Sequence, residues 1–185
     1  MVDFVLASAS PRRAELLTQA GFTFKVDAAD VDETPLHAEP PAEYVARVAR
    51  AKANAVAPRH PHGAIILAAD TTVVVDGGVL GKPEDGADAA RMLMLLSGRA
   101  HDVLTAVAIR RGAVERLEVV STQVTFLALT PDDIAWYVGT GEPAGKAGAY
   151  AIQGRGARFV DRIEGSWSNV VGLPIATVWR MVQAI

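Results

Sequence analysis

Two adjacent arginines, Arg12 and Arg13, follow a short apolar segment that ends in the small hydroxyl residues Ser8 and Ser10. Ser10 precedes a proline, which is typical of a helix start because serine caps helices and proline is favoured at the first helical position. Both arginines then fall in the first turn, where the helix dipole disfavours a cation by about 0.3 to 1 kcal/mol. Helical N–H groups, guanidinium groups and hydroxyls together suit a phosphate or carboxylate. The segment therefore predicts an anion-binding site, with arginines that reach into solvent or pair with Glu15 as the alternative.

A second helix start in the same chain has the opposite charge. Thr130 and Pro131 repeat the pattern of a hydroxyl residue followed by proline, but Asp132 and Asp133 stand where the first start has arginines. Acidic residues stabilise a helix N-terminus. We interpret the second start as built for stability and the first as built for an anion.

Two acidic residues are candidates for holding a metal or activating a water. Asp70 follows the apolar run 65–69, which predicts a buried strand, and the ends of such strands project functional groups in α/β proteins. Glu33 lies in the acidic turn 27–33. Two carboxylates completed by phosphate oxygens and waters suit Mg²⁺. The alternatives are that Asp70 caps a loop and that the acidic turn is simply solvated.

Lys52 and Lys82 could supply positive charge to a polyphosphate, or could be ordinary surface lysines. The four histidines have no zinc-ligand spacing, which argues against a zinc enzyme. The chain contains no P-loop, no dinucleotide-binding glycine motif and no serine-hydrolase elbow. The class of site that remains is a small metal-assisted phosphate site.

The composition of the 185-residue chain, 50% hydrophobic and 21% charged, predicts a single domain over 1–185 with an ample core. Cysteine is absent, which excludes disulfides and thiolate sites. The net charge of −3 argues against broad nucleic-acid binding. No apolar run reaches the length of a membrane span, so we expect no membrane partner and a cytoplasmic protein.

The hydrophobic pattern predicts alternating strands and helices, and hence an α/β fold. Strands are predicted at 2–7, 22–26, 65–69, 101–109, 115–129 and 158–163, with a hairpin over 72–80. Helices are predicted at 11–20, 42–57, 86–96, 130–138 and 173–185, with a polar turn at 165–172. The glycine-dense segment 146–154 predicts backbone that lies close to a ligand, or alternatively a kinked strand.

Eight short motifs occur in order over nearly the whole chain. They are Leu6-Ala7-Ser8-Ala9-Ser10-Pro11-Arg12-Arg13, Val31-Asp32-Glu33-Thr34, Ala69-Asp70-Thr71, Gly81-Lys82-Pro83, Leu96-Ser97-Gly98, Thr140-Gly141-Glu142-Pro143, Lys146-Ala147-Gly148-Ala149-Tyr150 and Val171-Gly172-Leu173-Pro174. In this combination the chain closely resembles the Maf-like nucleoside triphosphate pyrophosphatases. The resemblance implies an elongated, two-lobed, inosine triphosphatase-like fold, with a long mixed β-sheet flanked by helices and a central cleft. It also implies hydrolysis of a nucleoside triphosphate to the monophosphate and pyrophosphate.

The resemblance assigns roles to individual positions. Asp70 matches the family's proton acceptor, and Arg12, Thr71 and Gln153 match positions that distinguish substrate branches. The chain is similar there to the dTTP and UTP branch and departs from the 7-methyl-GTP branch at all three. The Gln153 amide offers one donor and one acceptor, which match the N3–H and carbonyl edge shared by uracil and thymine.

The expected mechanism uses Mg²⁺ or Mn²⁺ held by Glu33 and Asp70, with Asp70 orienting or deprotonating the attacking water. The expected substrate-binding residues are Ser8, Arg12, Arg13, Lys52, Thr71, Lys82 and Gln153. A tight metal ligand is a poor free base, so the two roles of Asp70 compete. Family analogy suggests a homodimer. The alternatives are a pyrophosphatase of the same fold for 7-methyl-GTP or another modified nucleotide, and a non-catalytic nucleotide-binding regulator of septum formation.

Overall fold

The central element is a mixed seven-stranded β-sheet, seen in a computed structural model that describes residues 4–185. The strands are β1 (Phe4–Leu6), β2 (Lys25–Val26), β3 (Ile65–Val75), β4 (Gly78–Leu80), β5 (Ala100–Arg111), β6 (Val114–Phe126) and β7 (Val160–Glu164). Their order is β2-β1-β3-β5-β6-β7, with β4 paired to β3 outside that path. β1 is parallel to β2 and β3, whereas β4 and β7 are antiparallel to their partners. The predicted mixed α/β architecture is confirmed; the part of the first predicted strand before Phe4 lies outside the described residues.

Helices follow the strands as the hydrophobic periodicity predicts. They are α1 (Pro11–Gln19), α2 (Pro41–Val56), α3 (Gly86–Leu96), α4 (Pro131–Gly139), α5 (Trp167–Val171) and α6 (Ile175–Gln183). In the part of the chain that is described, no helix combines the length and the apolar character needed to cross a membrane. The polar turn predicted at 165–172 is wrong, because this segment contains α5, whose first turn is closed by a hydrogen bond from the Asn169 N–H to Ser166 Oγ at 3.3 Å.

Two strand predictions differ from the structure in length. The strand predicted at 22–26 is reduced to Lys25–Val26, which pairs in register with Val5 and Leu6. The strand predicted to end before Asp70 continues to Val75. The residues after Asp70, Thr71 to Val75, are all β-branched and favour strand geometry strongly enough to carry an aspartate in mid-strand.

The chain divides into two compact units. The first comprises residues up to Asp70, Thr105–Val120 and Gly172–Ile185, and the second comprises Thr71–Leu104 and Ser121–Val171. The strands β3, β5 and β6 contribute residues to both. The single domain over 1–185 stays a prediction.

The core of the first unit is built on β1 and on one face of α2. Val5 and Leu6 of β1 are fully buried. The buried residues of α2 recur every three or four positions, and they are Val45, Val48, Ala49, Lys52, Ala53 and Val56. This stripe is apolar except for Lys52, so the helix carries an ammonium group into the interior of its own unit.

The second unit packs around aromatic side chains. The ring of Phe126 lies 4.8 Å from that of Tyr150 and 5.0 Å from that of His101, in edge-to-face arrangements. Tyr137 on α4 packs edge-to-face on Phe159 at 5.1 Å. Such pairs add stabilisation to the apolar area that they bury.

The two proline-containing helix starts differ in their capping as well as their charge. Thr130 and Asp133 form a complete capping box: the Asp133 N–H donates to Thr130 Oγ1 at 3.2 Å, and the Thr130 N–H donates to Asp133 Oδ2 at 3.0 Å. Ser10 is the cap residue of α1 but makes no side-chain cap bond, and no acid lies in the first turn. The interpretation that α4 begins in a stabilising sequence and α1 does not is confirmed at the level of capping.

This difference yields a stability prediction. Thr130→Ala removes a capping box and should lower the free energy of unfolding by about 1 kcal/mol. For a chain of this size that corresponds to a fall in Tm of about 2–4 °C. Ser10→Ala is the matched control and should lower Tm less, because its hydroxyl makes no cap bond. Equal falls in calorimetric Tm would contradict the capping interpretation.

Candidate active site

Asp70, Lys52 and Glu33 meet in the first unit through a single ammonium group. Lys52 Nζ lies 2.8 Å from Asp70 Oδ1 and 2.8 Å from Glu33 Oε1. Asp70 is only 6% exposed and Lys52 7% exposed, whereas the Glu33 side chain is 42% exposed. The cluster is therefore a buried ion pair with a second carboxylate at its solvent side. The alternatives of a loop-capping Asp70 and a surface Lys52 are wrong.

Each member of this cluster comes from a different element. Asp70 projects from the middle of β3, between the buried Ala69 and the half-buried Thr71. Lys52 reaches it from the buried stripe of α2. Glu33 lies on the segment between β2 and α2, and the sequence between those elements has no regular secondary structure. A strand, a helix and a loop thus supply one charge each.

Arg13 and Ser8 connect the start of α1 to the start of α6. Arg13 is 9% exposed, and it donates from Nε to the Gly172 carbonyl at 2.8 Å and from Nη1 to Ser8 Oγ at 3.1 Å. The Ser8 hydroxyl oxygen also accepts from the Ser10 N–H at 3.2 Å. The prediction that Arg13 grips an anion stays a prediction, and the structure gives this arginine an additional anchoring contact.

Burial dominates the ionisation of Asp70. Desolvation raises the pKa of the Asp70 carboxyl and Glu33 raises it further, while Lys52 and Arg13 oppose them; the net direction is upward. Burial also lowers the pKa of Arg13, against the attraction of Asp70. The pKa of Tyr44 is raised to about 12 by burial and then by Asp70 and Glu33, which places its ring within the field of both carboxylates.

Tyr44 and Arg47 on α2 hold the loop that carries Glu33. The Tyr44 hydroxyl donates to the Glu33 carbonyl at 3.0 Å. Arg47 donates to the Thr34 carbonyl at 3.0 Å and forms a two-pronged pair with Glu39 at 2.6 and 2.8 Å. The sequence alone did not predict that Tyr44 and Arg47 hold this loop. Tyr44 fits the apolar periodicity of α2, and its hydroxyl group, one turn before Val48, is the only signal of a polar role.

The remaining predicted site residues have different surroundings. Arg12 is half-buried, and burial lowers its pKa while the neighbouring charge of Glu15 raises it. Thr71, Lys82 and Gln153 belong to the second unit. There Thr71 is half-buried, whereas Lys82 and Gln153 are exposed. The structure thus brings together five predicted site residues in the first unit: Ser8, Arg13, Glu33, Lys52 and Asp70.

The glycine-dense segment is packed against protein atoms. A Cβ on Gly148, whose φ is +67°, would lie 2.7 Å from the Val73 side chain, and a Cβ on Gly154 would lie 2.5 Å from the Glu142 carboxylate. The segment forms a 3₁₀ turn at Ala147–Ala149 and leads into a second one at Arg155–Phe159. Gly148 and Gly154 thus lie close to side chains of the same unit, and the approach of this segment to a ligand stays a prediction. The alternative of a kinked strand is wrong.

Comparison with known proteins assigns the chain to a family. A family model described as Maf-like protein matches residues 3–185. The chain belongs to the Maf-like protein family. The Maf-like chain is 58% identical over 183 residues to a protein of Anaeromyxobacter dehalogenans, covering 97% of this chain and 92% of that protein. It is 57% identical over 179 residues to a protein of Myxococcus xanthus, covering 97% and 90%. Both relatives are named dTTP/UTP pyrophosphatase, so the resemblance found from the eight motifs is confirmed.

One further relative and one solved structure are also similar to the chain. A dTTP/UTP pyrophosphatase of Symbiobacterium thermophilum shares 54% identity over 182 residues, covering 98% of the Maf-like chain and 93% of that protein. Among solved structures, the Ham1 protein of Staphylococcus aureus has a TM-score of 0.48 and 14% identity, covering 67% of this chain and 71% of that chain.

The donor set of the Maf-like chain fits a hard cation that is only partly coordinated by protein. Among the described residues no group of three or more His, Asp or Glu side chains is placed to hold a metal. Asp70 and Glu33 both contact the Lys52 ammonium group, so their carboxylates face a common point. Mg²⁺ commonly takes one or two carboxylates and completes its shell with phosphates and waters. The two carboxylates therefore fit Mg²⁺ or Mn²⁺ in number and chemistry, with the Lys52 ammonium as a competing cation.

The raised pKa of Asp70 predicts that its charge lowers stability. A carboxyl whose pKa is higher in the folded state binds its proton more tightly there, so the folded state loses stability as the pH rises through the unfolded and then the folded pKa. Asp70→Asn should therefore raise Tm at neutral pH in EDTA, by about 2–4 °C for each kcal/mol that it adds to the free energy of unfolding.

The pH series is the control for this prediction. The gain in Tm should shrink as the pH falls from the raised folded-state pKa toward about 4, the ordinary pKa of an aspartate, and it should be lost below that pH, because Asp70 is then protonated in both the folded and the unfolded wild type. Scanning calorimetry of both proteins across the series measures it. A gain that is absent at neutral pH, or that does not change with pH, would contradict the upward shift in the Asp70 pKa.

Proposed function

We propose that this protein is a metal-dependent nucleoside triphosphate pyrophosphatase that hydrolyses dTTP and UTP to the monophosphate and pyrophosphate. The observation that carries the proposal is the buried Asp70 carboxylate held at 2.8 Å by Lys52, with Glu33 on the same ammonium. The names of relatives at 54–58% identity supply the substrate class. A buried carboxylate with a raised pKa, close to cations, is a typical general-base arrangement.

The proposed reaction transfers the nucleotidyl group, which is the nucleoside with its α-phosphate, to water. The oxygen of a water forms a bond to the α-phosphorus, the bond between that phosphorus and the α–β bridging oxygen breaks, and pyrophosphate leaves. Asp70 accepts the proton that the water loses. Upward displacement of the Asp70 pKa makes its carboxylate a stronger base than an ordinary aspartate.

The surrounding cations would neutralise the triphosphate. Lys52 holds Asp70 in its ionised form and orients the carboxylate. Arg12, which is half-buried, and Lys82, which is exposed, are proposed to contact phosphate oxygens. Arg13 and Ser8 set the start of α1 through their mutual hydrogen bond, so that the helix N–H groups can also face an anion.

Glu33 and Asp70 are the residues that would hold the divalent cation. The cation supplies charge neutralisation and polarisation of the phosphate oxygens when bound. Lys52 lies on the side that both carboxylates share, so a divalent cation bound there would compete with its ammonium group. In such a site Glu33 would carry the coordination, which would leave Asp70 able to act as the proton acceptor.

The proposed preference for dTTP and UTP rests on Gln153, Thr71 and Arg12, which carry the residue types of that branch of the family. Gln153 is exposed and available to a base, and its amide matches the edge of uracil and thymine. The cytoplasmic location and the homodimer stay predictions.

Pyrophosphate release from a panel of triphosphates tests the function. The wild-type protein should release pyrophosphate from dTTP and UTP in the presence of Mg²⁺ and none in EDTA, with slower release from purine triphosphates. Asp70→Asn should reduce kcat at least about a thousandfold, in line with the loss of a general base and its charge, while dTTP still binds. Preferential turnover of 7-methyl-GTP would favour the sister branch, and binding without turnover would favour a regulator.

Removal of Lys52 tests the metal site. Lys52→Met leaves two carboxylates without their shared ammonium, so in the absence of nucleotide Mg²⁺ should raise the Tm of this variant more than that of the wild type. Arg50→Met is the matched control, because Arg50 lies on the same helix and pairs with Glu115 at 2.7 Å. If Mg²⁺ raises the Tm of the wild type, Lys52→Met and Arg50→Met equally while turnover still depends on Mg²⁺, the metal binds to ligands other than Asp70 and Glu33.

A further inference from the structure

Gln153 lies on a short segment whose backbone is fixed from both sides. Tyr150, three residues before it, is buried and its hydroxyl lies 2.9 Å from His101 Nε2. Burial lowers the pKa of His101 to about 4, so this contact joins two neutral groups at neutral pH. After Gln153 the chain enters the 3₁₀ turn Arg155–Phe159. The exposed glutamine therefore projects from the tip of a turn with a buried aromatic residue at its base.

A tyrosine and a glutamate accept hydrogen bonds from the backbone N–H groups around that tip. Tyr137 Oη accepts from the Ala151 N–H at 3.0 Å and donates to Glu142 Oε1 at 2.8 Å. The Glu142 carboxylate then accepts from the Arg155 N–H at 3.0 Å and from the Gly156 N–H at 3.1 Å. A continuous hydrogen-bonded chain thus runs from two residues before Gln153 to three residues after it.

Glycines allow the pair to reach the backbone. A Cβ on Gly154 would lie 2.5 to 2.7 Å from the Glu142 carboxylate atoms, and a Cβ on Gly156 would lie 2.8 Å from Tyr137 Oη. Real Cβ atoms do not approach so closely. Tyr137 is fully buried, and a retreat of the half-buried Glu142 would break its hydrogen bonds to this backbone. The sequence around Gln153 is therefore shaped to receive these two side chains.

The ionisation of the pair suits this role. Burial raises the pKa of Glu142, but the N–H groups of Arg155 and Gly156 and the hydroxyl of Tyr137 outweigh it and the net direction is downward. Burial and the nearby Glu142 both raise the pKa of Tyr137. At neutral pH the carboxylate is ionised and the phenol protonated, so each hydrogen bond has a fixed direction and those to Glu142 are charge-assisted.

We propose that Tyr137 and Glu142 are positioning residues for substrate specificity, which hold the 151–156 turn so that the Gln153 amide meets a pyrimidine base in one orientation. The inference rests on the proposed function, in that it takes Gln153 as the reader of the base. An amide selects between bases only if its donor and acceptor keep their places, because a turn that rotates would let Gln153 satisfy other edges as well.

The test compares discrimination between dTTP and dGTP in Glu142→Gln and Tyr137→Phe. The ratio of kcat/KM values for the two nucleotides should fall about tenfold in each variant, the size of effect that a hydrogen bond to a charged group produces. The fall should arise from a higher KM for dTTP. A merely structural defect would lower the active fraction for both nucleotides and leave the ratio unchanged.

Two further variants sharpen this test. Gln153→Ala should lose the discrimination directly, and adding Glu142→Gln to it should produce no further loss, since both act through the same amide. Glu164→Gln neutralises an exposed carboxylate of the same unit and should leave the ratio unchanged. Amide hydrogen exchange reports the turn itself: the Arg155 and Gly156 N–H groups should lose protection in Glu142→Gln, and the Ala151 N–H in Tyr137→Phe.

The outcomes separate this inference from the proposed function. An unchanged ratio in Glu142→Gln and Tyr137→Phe, with discrimination lost in Gln153→Ala, would overturn the positioning roles and leave the function intact. Full discrimination in Gln153→Ala would overturn base reading by Gln153 and the positioning roles with it. If the wild type releases no pyrophosphate, the function fails, and the binding ratio of the α,β-methylene analogues of dTTP and dGTP, measured by calorimetry, decides the positioning roles independently.

Discussion

Burial of the Asp70 carboxylate beside the Lys52 ammonium is the interaction on which the first unit depends. Each charge costs several kcal/mol to remove from water, and the close partner offsets only part of that cost. Lys52 stands in the apolar stripe of α2, so this helix can bury that face only where it meets an acceptor on β3. The residues that would do chemistry and those that specify how α2 docks are therefore the same, and the raised pKa of Asp70 records the energetic cost.

The second unit orients its candidate functional side chain, Gln153, by a different kind of interaction. Around Gln153 the fixed groups are backbone N–H donors, and the side chains that hold them, Tyr137 and Glu142, come from α4 and the turn after it. The α4 helix itself begins at the capping box of Thr130. Charge pairing orients the candidate catalytic carboxylate, whereas neutral and charge-assisted hydrogen bonds orient the candidate base reader. The candidate catalytic carboxylate thus has a raised pKa, whereas the pKa of the supporting carboxylate of Glu142 is lowered.

Local sequence was informative wherever local forces decide the structure. The helix starts at Ser10 and Thr130, the hairpin over 72–80 and the stripe of α2 follow from capping, turn chemistry and periodicity. The eight motifs indicated the family and the candidate acids. Long-range pairing was not readable. Nothing near Lys52 in sequence indicates that it meets Asp70, and β3 continues through Asp70 because its β-branched neighbours and paired strands outweigh one polar residue. The side chains that contact Gly148 and Gly154 could not be predicted for the same reason. Val73 is remote in sequence from Gly148, and an irregular segment separates Glu142 from Gly154.

The turn around Gln153 also bears on how such a protein can change over evolutionary time. Its anchoring hydrogen bonds come from the N–H groups of Ala151, Arg155 and Gly156, and position 153 itself contributes an exposed side chain. Under the proposed role of Gln153, a substitution there would alter what the protein recognises and would leave these hydrogen bonds in place. The neighbouring glycines have no such freedom, because a side chain at Gly154 or Gly156 would meet Glu142 or Tyr137. On this proposal a new specificity would need the exchange of only one exposed residue on an unchanged scaffold, which makes the position a practical one for redesign.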